Sequence, residues 1–157
     1  MKKVLIIGER DGARSRMFEG FLRKYGAMDF IGESAGLEPA RVEPLAVEVM
    51  REDGVDLEDR KGRGILEVLN WGLLYDYVIT VCDRAAALHS SFPRFTHCLH
   101  LPFPDPASFS GTRAERLEQT RLVRDDIKKA VWGFMDDDLL FPTHVRRPEA
   151  CGDSAHI

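Results

Sequence analysis

Arg14 and Ser15 follow a six-residue turn, Gly8-Glu9-Arg10-Asp11-Gly12-Ala13, which itself follows the apolar run Val4-Leu5-Ile6-Ile7. A strand that breaks into a short loop and re-forms as a helix aims backbone N–H groups and one guanidinium at a common point. That arrangement suits a tetrahedral oxyanion. The residues placed to line such a site are Gly8, Glu9, Arg10, Asp11, Gly12, Ala13, Arg14 and Ser15. The loop carries two carboxylates and two guanidiniums, which sum to zero. A carboxylate is stabilised at a helix N-terminus, so Asp11 or Glu9 is expected to fold into the anion site and plug it.

Other residues of chemical interest are fewer. Pro104-Asp105-Pro106 is strong turn chemistry whether or not Asp105 serves as an acid. Cys82 closes an apolar run, where a small buried residue is the ordinary reading. His97, Cys98 and His100 suggest a metal, but on a strand Cys98 and His100 share one face while His97 points to the other. Two ligands from one strand leave a site incomplete, so no metal and no cofactor is expected. His144, Cys151 and His156 lie near the C-terminus with no pattern around them.

The elements that would position the loop read clearly. Val4–Ile7 has the continuous aliphatic character of a strand buried on both faces of a parallel sheet. Met17, Phe18, Phe21, Leu22 and Tyr25 recur at helical spacing from Arg14. Phe30–Ala35 reads as a second strand, Pro44–Asp53 as a helix and Gly62–Gly72 as a further helical segment. Asp76–Cys82 reads as the plainest strand, followed by a short helix near Ala85–His89 and a fourth strand over Phe95–Leu101. A long helix over Thr112–Phe134 carries Val123, Ile127, Val131 and Phe134 on one side. Strands alternating with helices predict an α/β fold of three layers, with a four-stranded parallel doubly wound sheet and helices on both faces. Ligands of such sheets bind beyond the carboxyl ends of the strands, where the Gly8–Arg14 loop falls. Residues 1–134 form the expected domain. Residues 135–157, with Asp136-Asp137-Asp138 and scattered prolines, are expected to be a draped or disordered tail.

Composition excludes several classes. The 157 residues carry a net charge of −4 with no long basic stretch, which argues against nucleic acid as a partner. No apolar run reaches the roughly 18 residues of a membrane helix. Three cysteines make no framework, so a reducing cytoplasm is the expected compartment.

The strand–loop–helix opening resembles that of the low-molecular-weight protein tyrosine phosphatases and the thioredoxin-coupled arsenate reductases. Ser34-Ala35-Gly36, Pro44–Met50 with Gly54-Val55-Asp56, Asp76–Asp83 and Phe103-Pro104-Asp105-Pro106 resemble later elements of these families, in order, from Lys2 to Val131. The resemblance implies a flavodoxin-like strand order and an anion site at Arg14 and Ser15. It implies a general acid at Asp105 and a relay cysteine at Cys82, with His89 near the place of a second. In these families a nucleophilic Cys opens the loop, and here that position is Gly8. The resulting expectation is a catalytically silent relative, binding phosphate, sulfate, arsenate or a protein partner. The alternative is an active phosphatase or arsenate reductase with a relocated nucleophile: Asp11, Glu9, Cys82, or a water activated by Asp105. A third reading is a folded assembly module.

Overall fold

Val4–Ile7 offers no polar face to water, and the strand that contains it is buried on both sides. The computed structural model describes residues 1–57, 61–140 and 149–150. In it β1 (Lys2–Gly8) lies between β2 (Phe30–Gly36) and β3 (Tyr77–Thr80), with β4 (His97–His100) beyond β3. All three pairings are parallel, and Gly8 stands beside Gly36 at the carboxyl edge. This is the predicted four-stranded parallel sheet in flavodoxin-like order. A short β5 (Glu149–Ala150) adds antiparallel to β4, a strand that two residues without alternating pattern do not announce.

One face of the sheet is covered by α1 (Arg14–Gly26), α2 (Pro44–Glu52) and α4 (Arg113–Leu140). Met17, Phe18, Phe21 and Leu22 of α1 pack there with Val4, Ile6 and Ile79, and with Val123, Ile127, Val131 and Phe134 of α4. The side-chain spacing read from the sequence is therefore the spacing that is buried. The α4 backbone continues past Phe134, where the apolar periodicity ends.

The other face is thinner. Leu5, Ile7 and Val78 meet Ile65 and Val68 of the single-turn α3 (Ile65–Leu69), together with Ala85 and Phe92 from the segment after β3. That segment, Asp83–Ser91, is a 3₁₀ helix of nine residues, where the sequence predicts a shorter helix. Long 3₁₀ runs have poor hydrogen-bond geometry, and this one is pinned by side chains. His89 Nε2 lies 3.0 Å from the Thr80 hydroxyl, which lies 2.8 Å from His100 Nδ1. His100 Nε2 in turn sits 2.9 Å from Asp83 Oδ1.

His97 packs on Tyr77, whose ring belongs to the opposite core, in agreement with the alternation expected of the strand. Cys98 is disulfide-bonded, while Cys82 is free. His144, Cys151 and His156 lie outside the described residues. Among the described residues no helix is long and apolar enough to cross a membrane.

Candidate functional site

The loop after β1 is shaped by a close approach. A Cβ at Gly36 would lie 2.5 Å from the Asp11 nitrogen, so only glycine lets the loop cross the end of β2. Having crossed, the chain turns at Asp11 with φ of +51°, a left-handed conformation that Asp and Asn tolerate better than other residues. The loop carbonyls then face outward. Gly8 O accepts from Leu37 N, Glu9 O from Glu38 N, Arg10 O from Ala40 N and Gly12 O from Glu43 N, at 2.7–3.2 Å.

The loop amides make no matching bonds. The N–H groups of Glu9, Arg10, Gly12, Ala13, Arg14 and Ser15 donate to no backbone carbonyl among the described residues. Helix α1 begins here without a side-chain cap, so its first donors are open as well. The cavity in front of them has about 220 Å³ and is lined by every residue from Gly8 to Ser15, with Ala40, Arg41, Glu43, Asp105 and Ala107. The loop residues picked from sequence are thus brought together, and Asp105 joins them from the far end of the sheet. Arg41 and Glu43 were missed. The hydrogen bonds that bring 37–43 alongside the loop join segments far apart in sequence, and no local pattern marks them.

Arg14 spans the cavity. Its Nη1 donates to Phe103 O at 3.1 Å and its Nη2 lies 3.6 Å from Asp105 Oδ2. Asp105 Oδ1 accepts from Ala107 N at 3.0 Å, as the turn chemistry of Pro104-Asp105-Pro106 predicts. The guanidinium and the carboxyl therefore face the same space.

Neither loop carboxylate plugs the site, which corrects that expectation. Asp11 is buried, accepting the Ser15 hydroxyl at Oδ1 (2.9 Å) and the Arg63 amide at Oδ2 (3.0 Å), with the Arg16 guanidinium beside it. Glu9 pairs with Arg84 at 3.3 Å, and Arg84 also holds Glu38 at 3.0 Å. Glu9 finds its partner in a distant segment, whereas Asp11 is held both by Ser15 and Arg16 close by in sequence and by the distant Arg63 amide.

Gly8 has no conformational need to be glycine, because its φ lies outside the left-handed region. A Cβ there would meet Ser15 Oγ at 3.1 Å and Val81 Cγ2 at 3.5 Å. Cys82 is free and buried. It packs with Leu5, Ile7 and Val78 on the thinner face of the sheet, next to the strand that carries the loop. Among the described residues no group of three or more His, Cys, Asp or Glu is arranged to hold a metal ion.

The fold and loop define an α/β protein of the low-molecular-weight phosphatase type. A low-molecular-weight protein tyrosine phosphatase from T. tengcongensis superposes with a TM-score of 0.70 over 87% of this chain and 99% of that one, at 21% identity. Sequence narrows the class. The chain is 32% identical over 137 residues to an arsenate reductase of Halalkalibacterium halodurans, covering 86% of this chain and 96% of the relative. It is 40% identical over 131 residues to a glutaredoxin arsenate reductase of Synechocystis sp., covering 83% and 94%. The structure of an arsenate reductase in its oxidized state matches with a TM-score of 0.71 at 30% identity, over 87% of this chain and 98% of that one. No protein-family model matches the chain. The chain belongs to the family of these arsenate reductases.

These relatives correct the expectation of a catalytically silent binding protein. Curated proteins at 30–40% identity over most of the chain are named as reductases, which favours the alternative of an active enzyme. The inference from Gly8 gave one position the whole weight of the chemistry, whereas an open amide cup, Arg14, Asp105 and a free thiol at Cys82 are all present.

Proposed function

We propose that the chain is an arsenate reductase whose Gly8–Ser15 cup takes arsenate, or phosphate as its isostere, with the attacking sulfur supplied from somewhere other than residue 8. The observation that carries this reading is the set of loop amides with no carbonyl partner, opening on the cavity that Arg14 crosses. A tetrahedral anion supplies the acceptors those donors lack. The guanidinium, already in the cavity, stabilises the charge that grows on oxygen as arsenic is attacked. Asp105, 3.6 Å from that guanidinium, is the group positioned to protonate the departing oxygen.

In this reading Gly8 occupies the family's nucleophile position and contributes only backbone. Cys82 lies on the far face of the sheet, a place suited to a later thiol-exchange step rather than to the first attack. A thiol-bearing redox protein is the partner class that such chemistry calls for, since the product disulfide must be reduced again.

The test is arsenate-dependent oxidation of thiol with formation of arsenite, measured for the full chain and for Arg14→Ala. The variant should lose about 100-fold or more in kcat/KM, the scale seen when one oxyanion donor is removed. The reading fails if the unmodified chain consumes no thiol with arsenate and gains no melting temperature from phosphate beyond a chloride control of equal ionic strength.

A further inference from the structure

We propose that Cys98 and Cys151 form a second thiol–disulfide site of this chain, apart from the cup, which a dithiol opens and a disulfide oxidant closes.

Elimination and strand register both give the pairing. The chain has three cysteines; Cys98 is bonded and Cys82 is free, which leaves Cys151. Glu149 stands opposite Cys98 and Ala150 opposite His97, and opposed antiparallel residues have Cα atoms about 4.5–5.5 Å apart. Cys151 follows Ala150 directly, one step of about 3.8 Å further, so its sulfur is within reach of Cys98. Cys82 is not. Cys98 is level with Val78 in the register of β3 and β4, and four residues of extended chain carry Cys82 about 13 Å further along. A disulfide bridges Cα atoms no more than about 7 Å apart. The two sulfur sites therefore do not exchange within the folded chain.

Three features make the bond a reversible clasp rather than a brace for the fold. A chain of 157 residues buries enough surface to stand without a cross-link. The long helix inside the loop that the bond closes has its own anchors, Val123, Ile127, Val131 and Phe134. Cys98 packs on the thinner face of the sheet, where Cys82 is already accommodated as a buried thiol. What the bond does hold is β5. A pairing of two residues is too small to persist alone, so opening the bond lets β5 leave β4.

The exchange balances. Cys98 is 3% exposed, so one thiolate of the dithiol attacks the Cys151 sulfur instead. The electron pair of the S–S bond leaves on the Cys98 sulfur, which takes a proton. The dithiol's second thiolate then attacks the dithiol sulfur of the mixed disulfide and releases Cys151, which takes the second proton. The dithiol ends as a cyclic disulfide, poorer by two electrons. Closure is the reverse, with a disulfide oxidant accepting the pair.

Dithiothreitol and oxidised glutathione are the probes, applied to the full chain without denaturant. A tryptic digest of the oxidised chain under non-reducing conditions should yield one pair of peptides joined through Cys98 and Cys151, with Cys82 alone open to alkylation. Dithiothreitol should free both thiols in the folded protein, and its replacement by oxidised glutathione should rejoin them. Trypsin needs several extended residues beyond its cut, and β5 begins at Glu149. Cleavage of the intact chain after Arg146 should therefore be about tenfold faster, or more, once the bond is reduced. The reduced chain should melt about 5 °C or more below the oxidised one. Cys151→Ser and Cys98→Ala, each lacking one half of the bond, should match the reduced chain in both measurements with or without dithiothreitol. A link between Cys82 and Cys98 would overturn the proposal. So would a bond that yields only under conditions that unfold the chain, or equal cleavage of the oxidised and reduced forms.

Discussion

The Ser15 hydroxyl donates to Asp11 Oδ1 at 2.9 Å and lies 3.1 Å from the place where a Cβ on Gly8 would stand. One hydrogen bond thus closes the floor of the cup, using a left-handed aspartate as its acceptor. It also spends the hydroxyl that would otherwise be free to stabilise a negative charge at residue 8.

That bond makes Asp11 a structural keystone of the loop. Asp11→Ala removes the acceptor of both the Ser15 hydroxyl and the Arg63 amide, takes away the carboxylate beside the buried Arg16 guanidinium and keeps a positive φ without the polar side chain that tolerates it. Loss of one partner from a buried charged network costs about 3 kcal/mol or more. The expected result is a large drop in denaturation midpoint, with loss of the phosphate-induced rise in melting temperature. A variant of unchanged stability would show that the loop is held some other way.

Gly8→Cys asks whether the rest of the apparatus still works. The new Cβ meets Ser15 Oγ at 3.1 Å, a contact that a shift of a few tenths of an ångström relieves, so the variant should fold with a cost of about 1–2 kcal/mol. It should gain a burst of aryl alcohol from an aryl phosphate, the phosphoryl group passing to sulfur, because Arg14 and Asp105 already face the cavity. The added combination Gly8→Cys/Asp11→Asn weakens the hold on the Ser15 hydroxyl and removes a nearby negative charge, and the thiolate should be easier to form. A rate of alkylation at pH 7 that is higher in the double variant than in the single one is the expected readout.

At the opposite end of α2, Glu52 is held to about 2, from an ordinary value of 4.5, by hydrogen bonds from Arg121 and then Arg124. A carboxyl whose pKa is lower in the folded chain stabilises that chain above its unfolded pKa and loses the contribution as pH falls toward the folded one. Melting temperature should therefore decline between pH 4.5 and 2, and Glu52→Gln should flatten part of that decline. Glu52 is partly exposed, so added salt should shrink the effect. A Glu52→Gln profile parallel to the unmodified one would remove Glu52 as a source.

Much of the fold was legible because it depends on local patterns. The run Val4–Ile7, the helical spacing from Met17 to Leu22 and the spacing from Val123 to Phe134 each state which face is buried. Boundaries shifted where the pattern is silent. β3 ends at Thr80, before Cys82, because the chain leaves the sheet for the 3₁₀ segment tied down by His89 and Thr80. The cup residues were legible from the loop and Arg14. Arg41, Glu43 and Arg63 were not, since they reach the loop through hydrogen bonds between segments that sequence does not relate. Function was misjudged because the missing side chain at Gly8 was weighed above the rest of the chain, which is similar to named reductases over most of its length.

The two residues of β5 have a consequence beyond their size. They pair with His97 and Cys98 and so occupy part of the outer hydrogen-bonding row of the last parallel strand. A bare sheet margin is a template for any extended chain that drifts past. Shortening the protein ahead of Glu149 is therefore expected to leave catalysis at the distant cup intact while making the molecule sticky toward its own copies, a change that would surface as turbidity on storage.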